Sequence, residues 1–178
     1  EVHVIASARV SLEAAARKAE ELGVPAVILS DAIEGEARDI GRMHAAIARE
    51  VRERNRPFAR PVVILSGGET TVTISNDRYG KGGRNSELLL SLALDIDGTT
   101  GIHALAADTD GIDGSEDNAG AFADGTTAAR IRACGGDPRA FLAGHDAWSA
   151  FSLADSLFVP GPTGTNVNDF RAMLVTGD

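Results

Sequence analysis

Three stretches of this chain carry residue types and spacings that could do chemistry. In His103-Ala104-Leu105-Ala106-Ala107-Asp108-Thr109-Asp110-Gly111-Ile112-Asp113-Gly114, an apolar run ends in three carboxylates interleaved with two glycines. Acids packed this closely repel one another unless a cation or a network of donors holds them. Asp108, Asp110 and Asp113 therefore read as a metal or phosphate–metal site, and equally as a solvated Asp-Gly turn. In Tyr79-Gly80-Lys81-Gly82-Gly83-Arg84-Asn85-Ser86-Glu87, a glycine-rich entry with two basic side chains leads into Leu88-Leu89-Leu90-Ser91-Leu92-Ala93-Leu94. A helix start offers free N–H groups and the positive end of the dipole to an anion. Arg84 adds a fork that matches carboxylate or phosphate oxygens. In Ser66-Gly67-Gly68-Glu69-Thr70-Thr71-Val72-Thr73-Ile74, adjacent glycines allow close backbone approach, as an anion cradle or as a plain hairpin turn.

Neither the P-loop spacing nor the dinucleotide fingerprint is present in these glycine stretches. The acidic stretch does not fit the calcium-loop template, and the four histidines lack zinc-ligand spacing.

The elements that must position these residues follow from periodicity. Val2–Ala6, Val24–Leu29 and Pro61–Leu65 read as strands. Between them, a helix capped by Ser11 carries Leu12, Ala15, Ala16, Ala19 and Leu22 at helical spacing, and a second helix spans residues 34–56. Ile40, Met43, Ile47 and Val51 mark that second helix's apolar face. Alternating strand and helix predicts an α/β fold: a layered sheet, mostly parallel with a hairpin at 66–74, flanked by helices. The Leu-rich helix after Arg84 should be central and buried. The run before Asp108 should be a buried strand whose C-terminal loop carries the acids, the place where open α/β sheets bind ligands. Residues 118–124 read as the start of a further helix, and residues 126–134 and 137–142 as short helices with Cys134 on an apolar face. His145, Asp146 and Trp148 form a polar and aromatic knot that reads as a cap or pocket wall. Residues 160–169 form a polar loop before a last strand, Arg171–Val175.

Composition bounds the function. The 178 residues suffice for a domain with a real core, and 43% hydrophobic with only 4% aromatic residues implies an aliphatic, Ala-rich one. A formal net charge of -9 disfavours nucleic acid. No apolar run approaches a membrane span, and no signal peptide is visible. A single cysteine fits a reducing compartment, so a cytoplasmic location is expected. The chain begins with Glu1 and enters a strand-like run at once, which reads as part of a longer polypeptide.

Four co-linear motifs add up to a family likeness: residues 66–72, 80–87, 109–114 and 163–169. Together they resemble the C-terminal half of the glycerate 2-kinases of the MOFRL family, some members of which carry the older name hydroxypyruvate reductase. The likeness divides the chain into an inter-domain βαβα segment (1–59) and a MOFRL-like domain (60–178). It implies ATP- and Mg²⁺-dependent phosphoryl transfer to the 2-hydroxyl of D-glycerate, in a cleft shared with an N-terminal domain that contributes a lysine. The isolated fragment is then expected to be inactive, and a homodimer is left open. The resemblance implies roles residue by residue. Arg84 clamps a carboxylate or the moving phosphoryl group, and Asp108, Asp110 and Asp113 hold Mg²⁺, one Asp near the hydroxyl acting as base. Gly67, Gly68, Gly82 and Gly83 supply N–H donors, and Thr70, Asn85 and Asn166 fix substrate or phosphate oxygens; Lys81 is read as facing phosphate from its charge at the helix mouth. The competing functions are an NAD(P)H-dependent hydroxypyruvate reductase, against which the missing fingerprint speaks, and a non-catalytic module that binds a phosphorylated metabolite.

Overall fold

A computed structural model describes residues 7–74 and 79–177; the strand expected at Val2–Ala6 lies outside them. Six strands lie side by side in the order β1-β3-β7-β4-β5-β6, and β2 pairs with the far half of β3. The strands are β1 (Ala26–Ile28), β2 (Ile33–Glu36), β3 (Val62–Thr71), β4 (Ile102–Asp108), β5 (Gly120–Asp124), β6 (Leu157–Phe158) and β7 (Asp169–Val175). The α/β class and the helix-flanked sheet are as expected. The pairing is not: only β1 and β2 run parallel to β3, and the other four pairings are antiparallel. Two of the four come from β7, which returns from the end of the chain and inserts between β3 and β4, and the other two are the pairings of β5 with β4 and β6.

The expected hairpin at 66–74 is also corrected, because β3 runs straight through Gly67-Gly68. Gly68 sits at φ 126°, and a Cβ there would come within 2.3 Å of the Ile33 backbone. The glycine thus lets β2 pair with β3 instead of turning the chain.

Strand alternation sorts the two faces. Val62, Ile64, Ile102, Ala104, Ala106, Met173 and Val175 belong to the main core, while Leu65 and Gly67 face the other way, Gly67 towards Leu12 of α1 (Ala8–Glu21). Ser7, not Ser11, caps α1. The main core lies beneath α2 (Ala37–Arg54) and α3 (Arg84–Asp95). Leu88, Leu89, Leu90 and Leu92 of α3 are all at most 1% exposed, each contributing roughly 2 kcal/mol of burial. Of the apolar face expected for α2, Val51 is fully buried and Ile40 and Ile47 pack against the core, while Met43 is exposed; Ala37, Gly41, His44, Ala45 and Ala48 make up the rest of the buried face. Small residues win because α2 packs closely on α3: a Cβ at Gly41 would lie 2.2 Å from the Leu88 carbonyl oxygen. Residues 120–124 form β5, not a helix. Three short helices follow β5: α4 (Thr127–Ala133), α5 (Pro138–Ala143) and α6 (Ala147–Leu153). Cys134, expected on an apolar face, is exposed. No helix among the described residues is long and apolar enough to cross a membrane.

Candidate active site

Because β7 is antiparallel to both neighbours, the C-terminal ends of β3 and β4 and the start of β7 meet at one sheet edge. The N-terminus of α3 points at the same edge. Between them opens a cleft of about 450 Å³, lined by Thr70, Gly82, Gly83, Arg84, Asp108 and Asp113 among others. The glycine-rich helix mouth and the acidic turn therefore share one cavity.

Arg84, the first residue of α3, reaches across this edge. Its Nε donates to Asp169 Oδ1 at 2.7 Å, Nη1 to Glu69 Oε1 at 2.7 Å and Nη2 to Asp108 Oδ2 at 2.8 Å. Burial opposes the charge on Arg84, but Asp169, then Asp108 and Glu69, outweigh it and raise its pKa. Three of the five N–H groups are committed, and two on the Nη nitrogens have no partner among the described residues. Asp108 is held above the usual carboxylate range by burial, with Asp110 and Asp169 adding to the effect while the Asp110 amide and Arg84 oppose it.

Asp113 behaves differently from expectation. Its Oδ1 accepts from the Asn85 amide at 2.9 Å, and its Oδ2 from the Ser86 amide at 2.7 Å and hydroxyl at 2.6 Å. The helix start does take an anion, but the anion is the protein's own. Gly83 permits this, since a Cβ there would lie 2.4 Å from Asp113 Oδ1. Both oxygens accept from α3, so the amides of Asn85 and Ser86 are not the free donors expected, and Asp113 serves the helix start. Among the described residues no group of three or more His, Cys, Asp or Glu is arranged to hold a metal.

The remaining expected residues scatter. Thr70 lies on the cleft, but its amide donates to Asp169 Oδ2 at 3.1 Å. Asn85 is wholly buried and donates to Asp169 Oδ1 at 2.9 Å, out of a ligand's reach. The Gly67 amide donates to the Ser30 carbonyl at 2.8 Å, so it serves the sheet. Gly82 lines the cleft at φ 144°. Lys81 is exposed, paired with Glu116 at 3.2 Å and stacked 4.8 Å from the Trp148 ring. Asn166 donates to Asp110 Oδ2 at 3.2 Å and, with Thr163, docks the 160–168 loop onto the acidic turn. Neither Asp110 nor Asn166 lines the cleft.

Several residues of the site had no individual role assigned from sequence, although Asp169 closes one of the four motifs. Asp169 and Arg171 form a buried ion pair beneath Arg84. Their signal was an Asp-x-Arg opening a strand, which puts opposite charges on one buried face. On the cleft's other flank, Glu87 accepts from Arg38 Nη2 at 2.7 Å and from His145 Nδ1 at 2.9 Å. An acid inside a buried, Leu-rich helix must find partners, and that is the legible clue. His145, read as a cap or pocket wall, lines the cleft.

Comparison with known proteins adds the following. The model of the "MOFRL family" matches residues 62–169. A protein of Agrobacterium vitis, provisionally named a hydroxypyruvate reductase, is 51% identical over 98% of this chain and 40% of its own length. The "Glycerate 2-kinase" of Pyrococcus horikoshii is 44% identical over 97% of this chain and 39% of its own. The crystal structure of glycerate kinase from Thermotoga maritima superposes with a TM-score of 0.95 at 39% identity, over 99% of this chain and 42% of that one. The chain thus spans about two fifths of the length of these proteins.

Proposed function

Because this chain belongs to the MOFRL family, we propose that it is the C-terminal part of a cytoplasmic glycerate kinase, which moves the γ-phosphoryl group of ATP to the 2-hydroxyl of D-glycerate. The observation that carries the reading is Arg84: a guanidinium on the cleft, held by three carboxylates yet with two N–H groups that have no partner among the described residues. Phosphoryl transfer asks a protein mainly for charge neutralisation and in-line positioning. Arg84 meets both demands, taking a glycerate carboxylate oxygen or an equatorial phosphoryl oxygen on its free N–H groups.

Glu69, beside Arg84, and Asp110, in the acidic turn, are hard-oxygen donors that would hold Mg²⁺ together with the nucleotide phosphates. The metal, when bound with the nucleotide, supplies charge neutralisation at the phosphates. Asp108, with its raised carboxyl on the cleft, is the proton acceptor for the substrate hydroxyl. The rest of the polypeptide completes the cleft from the opposite side.

The full-length protein, given D-glycerate, ATP and Mg²⁺, should release ADP and form 2-phosphoglycerate. Oxidation of NADH or NADPH on hydroxypyruvate, with no ADP from glycerate, would replace this reading with that of a reductase.

A further inference from the structure

One of the least exposed carboxylates near the cleft is also the best connected. Asp169 is 1% exposed and sits where β7 begins, between β3 and β4. Its Oδ1 accepts from Arg84 Nε at 2.7 Å and Asn85 Nδ2 at 2.9 Å. Its Oδ2 accepts from the Thr70 amide at 3.1 Å and from Arg171 Nη2. Arg171 is itself 2% exposed and donates on to the Gly67 carbonyl at 3.3 Å. One carboxylate therefore ties the first turn of α3 to the middle and end of β3 and to β7.

Burying such an acid costs several kcal/mol, offset only when its lone pairs are filled with good geometry. Here Oδ1 has two donors and Oδ2 has three, the Thr70 amide and hydroxyl and the buried Arg171. Asp169 is absent from the cleft wall, so it has no direct route to a ligand. What it does reach is the Nε edge of Arg84. An arginine side chain carries about 2 kcal/mol of rotamer entropy. A fixed acceptor at Nε locks the guanidinium plane and leaves the Nη edge facing the cleft.

We propose that Asp169 is the positioning residue of the site: it acts on substrate only through Arg84, whose guanidinium it holds in the orientation that presents the Nη donors to the reacting group. The inference rests on the kinase reading. It goes further by assigning the orientation of Arg84 to a strand residue behind it rather than to Glu69 or Asp108.

The test is a double-mutant cycle in the full-length protein, with Asp169→Asn and Arg84→Lys alone and combined. Asp169→Asn should lower kcat about 10- to 100-fold, the scale of misplacing a catalytic contact by about 1 Å, with KM for ATP within threefold. In the Arg84→Lys background the same change should cost less than threefold, because the contact it supports is gone. Equal losses in both backgrounds would overturn the proposal, as would a single variant with unchanged kcat. If Asp169→Asn does not fold, Asp169→Glu keeps charge and acceptors and should still lose about tenfold in kcat; failure of both to fold would make Asp169 a folding residue and refute the role. One readout is independent of the reaction. The Arg84 Nε–H should give an exchange-protected proton–nitrogen NMR signal that is missing in Asp169→Asn or Asp169→Glu, whichever folds, and persistence of that signal would overturn the geometry. A wild-type protein inactive on glycerate but with this signal behaving as stated would count against the kinase reading alone.

Discussion

Two ionic clusters flank the cleft, and they are built from the same chemistry to opposite ends. Around Arg84, three carboxylates from β3, β4 and β7 surround one cation on the cleft wall, and among the described residues the cation keeps donors unspent. Around Glu87, one buried carboxylate receives Arg38 from α2 and His145 from the turn between α5 and α6, and both its oxygens are spent. A charged group is available to a ligand only when its hydrogen-bonding capacity exceeds what the fold consumes. By that measure the Arg84 cluster is a site, and the Glu87 cluster is a brace that fixes α2 and the α5–α6 turn against α3. Asp113 belongs with the brace, though it lies beside Asp110 in sequence.

That contrast can be broken by substitution. The largest effect should come from Arg84→Ala, which in the full-length protein should lower kcat/KM by ~100-fold or more, the scale for one lost transition-state charge contact. A loss under threefold in a folded variant would remove Arg84 from the site. Asp113→Ala should act on stability instead: stripping the α3 amides of their acceptor costs about 2–3 kcal/mol, read as a lower denaturation midpoint. Glu87→Gln should destabilise by roughly 2 kcal/mol, since Arg38 and His145 lose a charged acceptor, with kcat within threefold. A large kcat loss without destabilisation would move Glu87 from brace to site.

The smallest effect concerns pH. His44 is buried, bonds the Ile40 carbonyl and the Ser66 hydroxyl, and has its pKa lowered to about 4, first by desolvation. A folded pKa below the unfolded value means that the unfolded chain binds the proton more tightly. This contribution to stability is therefore whole above pH ~6.5 and is lost as pH falls towards 4, by about 2 kcal/mol between pH 6.5 and 5. His44→Gln should flatten that part of the profile in chemical denaturation at both pH values, and an unchanged slope would exclude His44 as its source.

Much of this was legible in the order of residues. The glycine run before a Leu-rich helix announced both the helix and its anion, because N-terminal amides and basic side chains are local properties. The apolar run into Asp108 announced β4 and its acidic loop for the same reason. What local pattern does not carry is partnership. That the anion at the helix start is Asp113, 28 residues downstream of Asn85, depends on where β4 ends in space. That Asp169 rather than Asp110 holds Arg84 depends on β7 entering between β3 and β4 against the direction of both, a choice of strand neighbours made by the whole sheet. Residue types and spacing settled which groups could meet charge with charge. Only the long-range pairing of strands decided which of them meet, and so which arginine donors are left over for a substrate.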